Sequence, residues 1–282
     1  MESIWRRESS LRPREPLNGD ISADVAVVGG GMAGILTAYF LKRRGINAVV
    51  LEASRIGSGQ TGNTTAKITS QHGMIYHRMM EVFGEQKAKQ YAQANQQAIR
   101  DYRELVEELH IHCDFTLCPS YLYALANREG LEQEAEAAKK LGLPAEIMEH
   151  TELPFPVKGA LRFENQAQFD PLRFLQAVAE PLTIYEQTPV QKIEDHRLIT
   201  SGGTVEAKKI VMATHFPFVS VPGYYFMRMH QQRSYVLALE GAPKLNGMYY
   251  CGEEGGYSFR SAGKYLLFGG AGHRTGENKE GG

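Results

Sequence analysis

The residues with the plainest chemical use are Gly29-Gly30-Gly31-Met32-Ala33-Gly34 and, 18 positions past the last of them, Glu52. In a G-x-G-x-x-G run between a strand and a helix, the first glycine permits a tight turn. The second lets main chain approach a pyrophosphate, and the third allows helix and strand to pack closely. A diphosphate then rests on the helix N-terminus, where unpaired N–H groups and the helix dipole favour negative charge. Glu52 ends the next apolar segment, the position from which a carboxylate grips a ribose diol through two hydrogen bonds. The same carboxylate repels a 2′-phosphate, which leaves NAD or FAD. An ordinary glycine-rich turn is the competing account, and the full set of residues weighs against it.

The stretch after Glu52 separates the two nucleotides. Residues 53–67, Ala-Ser-Arg-Ile-Gly-Ser-Gly-Gln-Thr-Gly-Asn-Thr-Thr-Ala-Lys, are rich in Gly, Ser and Thr. They offer backbone N–H groups and hydroxyls to a second polar surface, such as ribityl and flavin-ring atoms. A flexible surface loop is the alternative on composition alone. No Ser/His/Asp or Cys/His set is evident, so no catalytic side chain is assigned. His110, His112, Cys113 and Cys118 lack metal-ligand spacing and read as packing residues, and no metal is expected.

These groups need a frame. Residues 25–28 form a β-branched run stopped by glycines, 35–44 read as a helix and 48–51 as a second buried strand, which together make a βαβ unit. Residues 1–23, polar and holding Pro13 and Pro16, read as an extended lead-in outside the core, with order beginning near Asp24. Apolar residues at three- and four-residue spacing predict a long packing helix over 85–109. A strand is expected at 120–126, a charged helix at 129–140, a strand at 159–163, and a helix at 171–179 opened by Asp170 as N-cap with Pro171 at the first helical position. Short strands are expected in turn at 183–186, 190–194, 197–200, 204–207 and 210–213, the third and fourth joined by Ser201-Gly202-Gly203 as a hairpin. From Tyr225 to Gly270 the pattern becomes strands rich in Tyr, Phe and Met, which fit a mixed or antiparallel sheet.

Composition narrows the function. Lys plus Arg (31) nearly cancels Asp plus Glu (32), so no field draws the chain to nucleic acid or anionic lipid. A hydrophobic fraction of 43% supplies a core, while charged residues interrupt each apolar stretch well short of a bilayer span. Three cysteines do not make a disulfide framework. A soluble, cytoplasmic protein is expected, with neither nucleic acid nor membrane as partner.

The chain resembles the D-amino-acid-oxidase-like superfamily of FAD-dependent oxidoreductases, which includes glycine and sarcosine oxidases. The resemblance rests on the first βαβ with Glu52, the loop 57–67, Phe169-Asp170-Pro171-Leu172-Arg173, Thr188-Pro189-Val190 and Ile210-Val211-Met212-Ala213-Thr214. It implies FAD as cofactor in an α/β (α+β overall) architecture. A discontinuous Rossmann-like FAD-binding domain at 1–80 and 165–220 would be interleaved with a mixed-sheet substrate domain at 81–164 and 221–282. It further implies Met32 and Ala33 under the pyrophosphate, in the turn that Gly29, Gly31 and Gly34 shape, Glu52 and Ala53 by the ribose, and Gln60 and Thr61 along the linker. Thr65, Ala66 and Lys67 would lie beside the flavin, with Val190 at adenine and Ala213 at the strand end facing the cofactor. Residues 62–67, 166–169, 213–217 and 272–276 look closer still to a bacterial subgroup whose oxidase domain is followed by a Rieske iron–sulfur domain; the paired Cys-x-His and Cys-x-x-His ligands of such a domain do not occur here. Members of the family continue beyond the position of Gly270 into a further helix and a Gly-rich stretch, so the substrate domain is expected to be incomplete at its C-terminus.

The reaction so implied is hydride transfer from a carbon bearing an amine, giving an imine that water hydrolyses; a neutral amine needs no base. The electron acceptor would be oxygen or an iron–sulfur domain. An amino-acid substrate calls for a guanidinium at its carboxylate, and Arg233 and Arg260 are the candidates. His215, just after a strand end, reads as structural. Two other readings stay open: a nucleotide-binding remnant without turnover, and an NAD-dependent dehydrogenase.

Overall fold

The β-branched run at 25–28 is the buried part of a longer strand, β1 (Ile21–Val28). The computed structural model describes residues 2–9, 11–219 and 223–276. Helix α1 (Ile4–Glu8) precedes β1 (Ile21–Val28), α2 (Met32–Arg43), β2 (Ala48–Leu51) and a 3-10 turn (Gln60–Asn63). Then come β3 (Lys67–Ile68), α3 (Tyr76–Phe83), α4 (Glu85–Glu108), β4 (Thr116–Ala124), α5 (Arg128–Lys140), β5 (Ala145–Met148) and β6 (Gly159–Gln168). Helix α6 (Pro171–Ala179) leads into β7 (Thr183–Tyr185), β8 (Lys192–Glu194), β9 (Arg197–Ile199) and β10 (Thr204–Met212). The chain ends with α7 (Tyr225–Arg228), β11 (Gln232–Glu240), β12 (Met248–Cys251), β13 (Ser258–Ala262) and β14 (Tyr265–Arg274).

Two units share these elements. The first comprises Met1–Thr64, Leu109–Cys113 and Asp170–Gln231, and holds a six-stranded sheet in the order β7-β2-β1-β10-β9-β8. Its four strands from β7 to β10 are parallel, and β9 and β8 extend it as an antiparallel ribbon. Parallel strands covered by helices are near-continuously apolar, as Ala26, Val27, Val50 and Leu51 are here, all at 1% exposure or less. Helix α2 buries Ile35, Ala38 and Tyr39, the i, i+3, i+4 face its pattern demands. Asp170 caps α6 by accepting from the Leu172 and Arg173 amides, as expected from the sequence.

The second unit comprises Thr65–Glu108, Asp114–Phe169 and Gln232–Gly282. It is built on an eight-stranded mixed sheet, β11-β14-β13-β12-β4-β6-β3 with β5 on β6, in which only the β12–β4 pair is parallel among the described residues. Residues 65–80 and 165–169, grouped by sequence with the nucleotide domain, lie in this unit because β3 pairs with β6. Residues 109–113 and 223–231, grouped by sequence with the substrate domain, belong instead to the first.

Several expectations change. The lead-in carries α1, whose Ile4 and Trp5 are buried, and Leu17 sits in the core of the first unit at 3% exposure. Strand β1 therefore begins at Ile21, paired with Val205. The strands expected at 204–207 and 210–213 are one, because β10 keeps register with β1 to the Val28–Met212 pair while Lys208 turns outward to Asp24 at 2.7 Å. Helix α7 occupies the start of the stretch expected to be all strand. Helix α3 and strand β5 were not expected. Glu134, fully buried on α5, accepts hydrogen bonds from the Ile75, Tyr76 and His77 amides and so caps α3; burial raises this carboxyl's pKa. The tail 277–282 lies outside the described residues.

Candidate functional site

Strands β1, β2 and β10 end together, and beyond their carboxyl ends lies a crevice of about 630 Å³. Ligands bind at this place in open α/β sheets. Gly29 turns the chain out of β1 with φ of +112°, and a Cβ there would stand 2.8 Å from the Ala213 carbonyl oxygen. A Cβ on Gly34 would meet the Gly29 carbonyl oxygen at 2.0 Å, so the third glycine serves helix–strand contact. A Cβ on Gly31 would meet only the Thr61 hydroxyl, at 3.4 Å, and would otherwise project into open space at the mouth of α2.

Glu52 is oriented before any ligand arrives. Its two oxygens accept from the amides of Gly30 (2.7 Å) and Ser54 (2.8 Å). A carboxylate has about four acceptor positions, so hydroxyl donors can still bind it. The loop after Glu52 is pinned from behind by Glu186, 1% exposed just past the end of β7, which accepts from the Ile56 amide at 2.8 Å and from the Arg14 amide at 3.0 Å. Thr61 Oγ1 accepts from the Met32 amide at 3.0 Å and so joins the 3-10 turn to the start of α2.

Gly29, Gly31, Met32, Ala33, Glu52, Ala53, Gln60, Thr61, Val190 and Ala213 all line this crevice. Gly34 is buried behind it. Ser58, Pro189 and Thr214, which belong to the motifs read from the sequence without being assigned as individual site residues, also line it, as do Phe218, which carried no signal, and the exposed His215, read as structural. The buried Thr214 hydroxyl has no hydrogen-bond partner among the described residues. Glu186 carries no sequence signal beyond ending a short strand.

Thr65, Ala66 and Lys67 lie in the second unit. There Ala66 adopts a left-handed backbone, φ 53°, at 2% exposure. Arg260 on β13, 3% exposed, donates to the carbonyl oxygens of Thr65 (2.8 Å), Ala66 and Phe169 (3.3 Å). The guanidinium expected to await a carboxylate is thus engaged by main chain, because β13 points it into the unit. Arg233 stands exposed on the edge strand β11.

Lys67 Nζ lies 3.3 Å from Thr65 Oγ1, and dehydration together with the Arg260 charge lowers its amine to about 7. The unfolded chain, with an ordinary lysine near ~10.4, then binds more protons than the folded one between those two values. Stability contributed at this position rises with pH across that window and is flat below it. In urea titrations, wild type should gain stability over Lys67→Met from about pH 7 to about pH 10. A gap independent of pH would show an ordinary surface lysine.

No group of three His, Cys, Asp or Glu residues among the described residues could hold a metal. No helix among them is long and apolar enough to cross a membrane.

Residues 24–281 match the family model described as FAD dependent oxidoreductase. The Bacillus subtilis protein YhfW, named as a Rieske 2Fe-2S iron-sulfur protein, is 36% identical over 99% of this chain and 58% of its own length. Gamma-glutamylputrescine oxidoreductase of Escherichia coli is 27% identical over 71% of this chain and 51% of its own. The chain thus spans little more than half the length of the curated relatives it matches. Among solved structures, L-proline dehydrogenase from P. horikoshii superposes with a TM-score of 0.69 at 18% identity, covering 94% of this chain and 72% of that one. Glycine oxidase from Geobacillus kaustophilus does so with 0.67 at 18% identity, covering 91% and 73%.

Proposed function

This chain belongs to the FAD dependent oxidoreductase family, and on that premise we propose that it binds FAD along the crevice and serves to oxidise the C–N bond of a small amine or amino acid. The observation that carries the binding half is the pairing of Gly31 with Glu52. One leaves open space at the mouth of α2 for a diphosphate, and the other presents a carboxylate already oriented for a ribose. In this reading the donors at the start of α2 hold anionic oxygens, and of the residues that line the crevice Val190 and Pro189 serve the adenine and Ser58 to Thr61 the linker. When bound, FAD would supply an acceptor for the hydride removed from the substrate carbon, and the crevice residues would orient it.

The amine half is supported by the names of relatives: a γ-glutamylputrescine oxidoreductase, and fold neighbours named for glycine and L-proline. The Rieske name of YhfW supports an iron–sulfur group as the electron acceptor. The test is to load the chain with FAD, remove excess by gel filtration, and add amines and amino acids without oxygen. Retained yellow colour that bleaches is the expected result. Yellow protein bleached by none of them overturns the C–N assignment, and colourless protein that binds NAD overturns the FAD assignment.

A further inference from the structure

Resting on that reading of the crevice, we infer that the lead-in segment is part of the cofactor machinery, with Trp5 and Arg6 as positioning residues for the loop that borders the diphosphate. Residues 58–64 touch two things. On one side Ser58, Gly59, Gln60 and Thr61 face the crevice, and Thr61 joins the first turn of α2. On the other side lies α1. Trp5 Nε1, on a side chain 5% exposed, donates to the Thr64 carbonyl oxygen at 2.8 Å. The Arg6 guanidinium donates to the Ser58 carbonyl oxygen. Helix α1 therefore holds both ends of the loop. Between them, a Cβ on Gly62 would lie 3.0 Å from Arg6 Nε, so the arginine is pressed against the middle of the 3-10 turn as well.

The rest of the lead-in repeats this pattern on the neighbouring loops. Arg55 donates to the Leu11 carbonyl at 2.7 Å, the Arg14 amide to Glu186, and the Leu17 amide to Thr188 Oγ1 at 3.0 Å. Thr188 in turn donates its amide to the Glu52 carbonyl at 2.9 Å. Its other polar contacts, Ser9 with Asp170, Arg12 and Arg14 with Glu180, and the Gly19 amide with the Gly202 carbonyl oxygen, anchor the segment to the ends of α6 and to the 201–203 turn, which gives the hold on the crevice loops a fixed base. The loop 58–64 is made of small polar residues, with little packing of its own to fix its shape. An external clamp lowers the ordering cost that ligand binding would otherwise meet.

Trp5 is the chain's single tryptophan, so its emission reports on the loop. Wild type titrated with FAD and with ADP should show quenching or a shift of that emission at saturable concentrations, whereas adenosine, which lacks the diphosphate, should change it little. Arg6→Met should weaken FAD and ADP binding about tenfold, as loss of a charge-assisted hydrogen bond would, and leave adenosine binding unchanged. Arg6→Lys should recover part of the loss. Thermal unfolding of each variant without nucleotide separates affinity from folding, and Trp5→Phe, followed through flavin fluorescence, keeps a ring while removing the donor. If Arg6→Met and Trp5→Phe are folded and bind FAD and ADP as wild type does, the inference is wrong while the crevice reading stands. If wild type binds neither nucleotide, both are wrong.

Discussion

Gly31→Val is expected to weaken FAD binding at least about a hundredfold while leaving the protein folded. The backbone at Gly31, φ −81° and ψ −177°, is open to any residue, and an added Cβ meets only Thr61 Oγ1. The folded state loses about 1 kcal/mol or less, chiefly because valine is a poor N-cap. The branched side chain then fills the space over the first turn of α2 in which a diphosphate would sit. A loss of about a hundredfold corresponds to about 2.7 kcal/mol, a modest demand on a clash that displaces charge-assisted contacts to the helix N-terminus. Gly34→Ala supplies the contrast. Its Cβ would lie 2.0 Å from a backbone oxygen with nowhere to move, so that variant should fail to fold. Equilibrium dialysis with FAD, beside thermal unfolding without it, checks both. Wild-type affinity in a folded Gly31→Val protein would remove the diphosphate from this position.

The first βαβ and its glycines were legible because each residue there acts on near neighbours in the chain. Asp170 as a cap and the full extent of α6 were legible for the same reason. Features set by distant partners were not. Helix α3 starts where it does because a carboxylate 57 to 59 positions away accepts its first amides. The lead-in looked extended because its contacts lie on loops around positions 55, 64 and 188. Arg260 shows the limit most clearly. Its residue type suggested a carboxylate clamp, but only the pairing of β13 with its neighbours reveals which way the guanidinium points.

That orientation makes Arg260→Leu the most damaging substitution expected in the second unit. Leucine fills much of the aliphatic volume but leaves the Thr65, Ala66 and Phe169 carbonyl oxygens without this donor in the interior of the unit. Hydrogen bonds to a charged group contribute about 1.5–3 kcal/mol each, so losing this set of guanidinium bonds is expected to cost about 3 kcal/mol or more in urea unfolding. The left-handed Ala66 adds strain that its surroundings must hold in place. Removing the guanidinium also removes one of the two causes that lower Lys67, and the lower edge of the pH window set by that lysine should move upward in this variant. Arg260→Lys keeps a charge but not the planar fork, and should recover the Lys67 shift better than the stability. A residue that met substrate would behave otherwise: Arg260→Leu would unfold like wild type, leave the pH window unmoved, and change only the concentration of amino acid needed for bleaching.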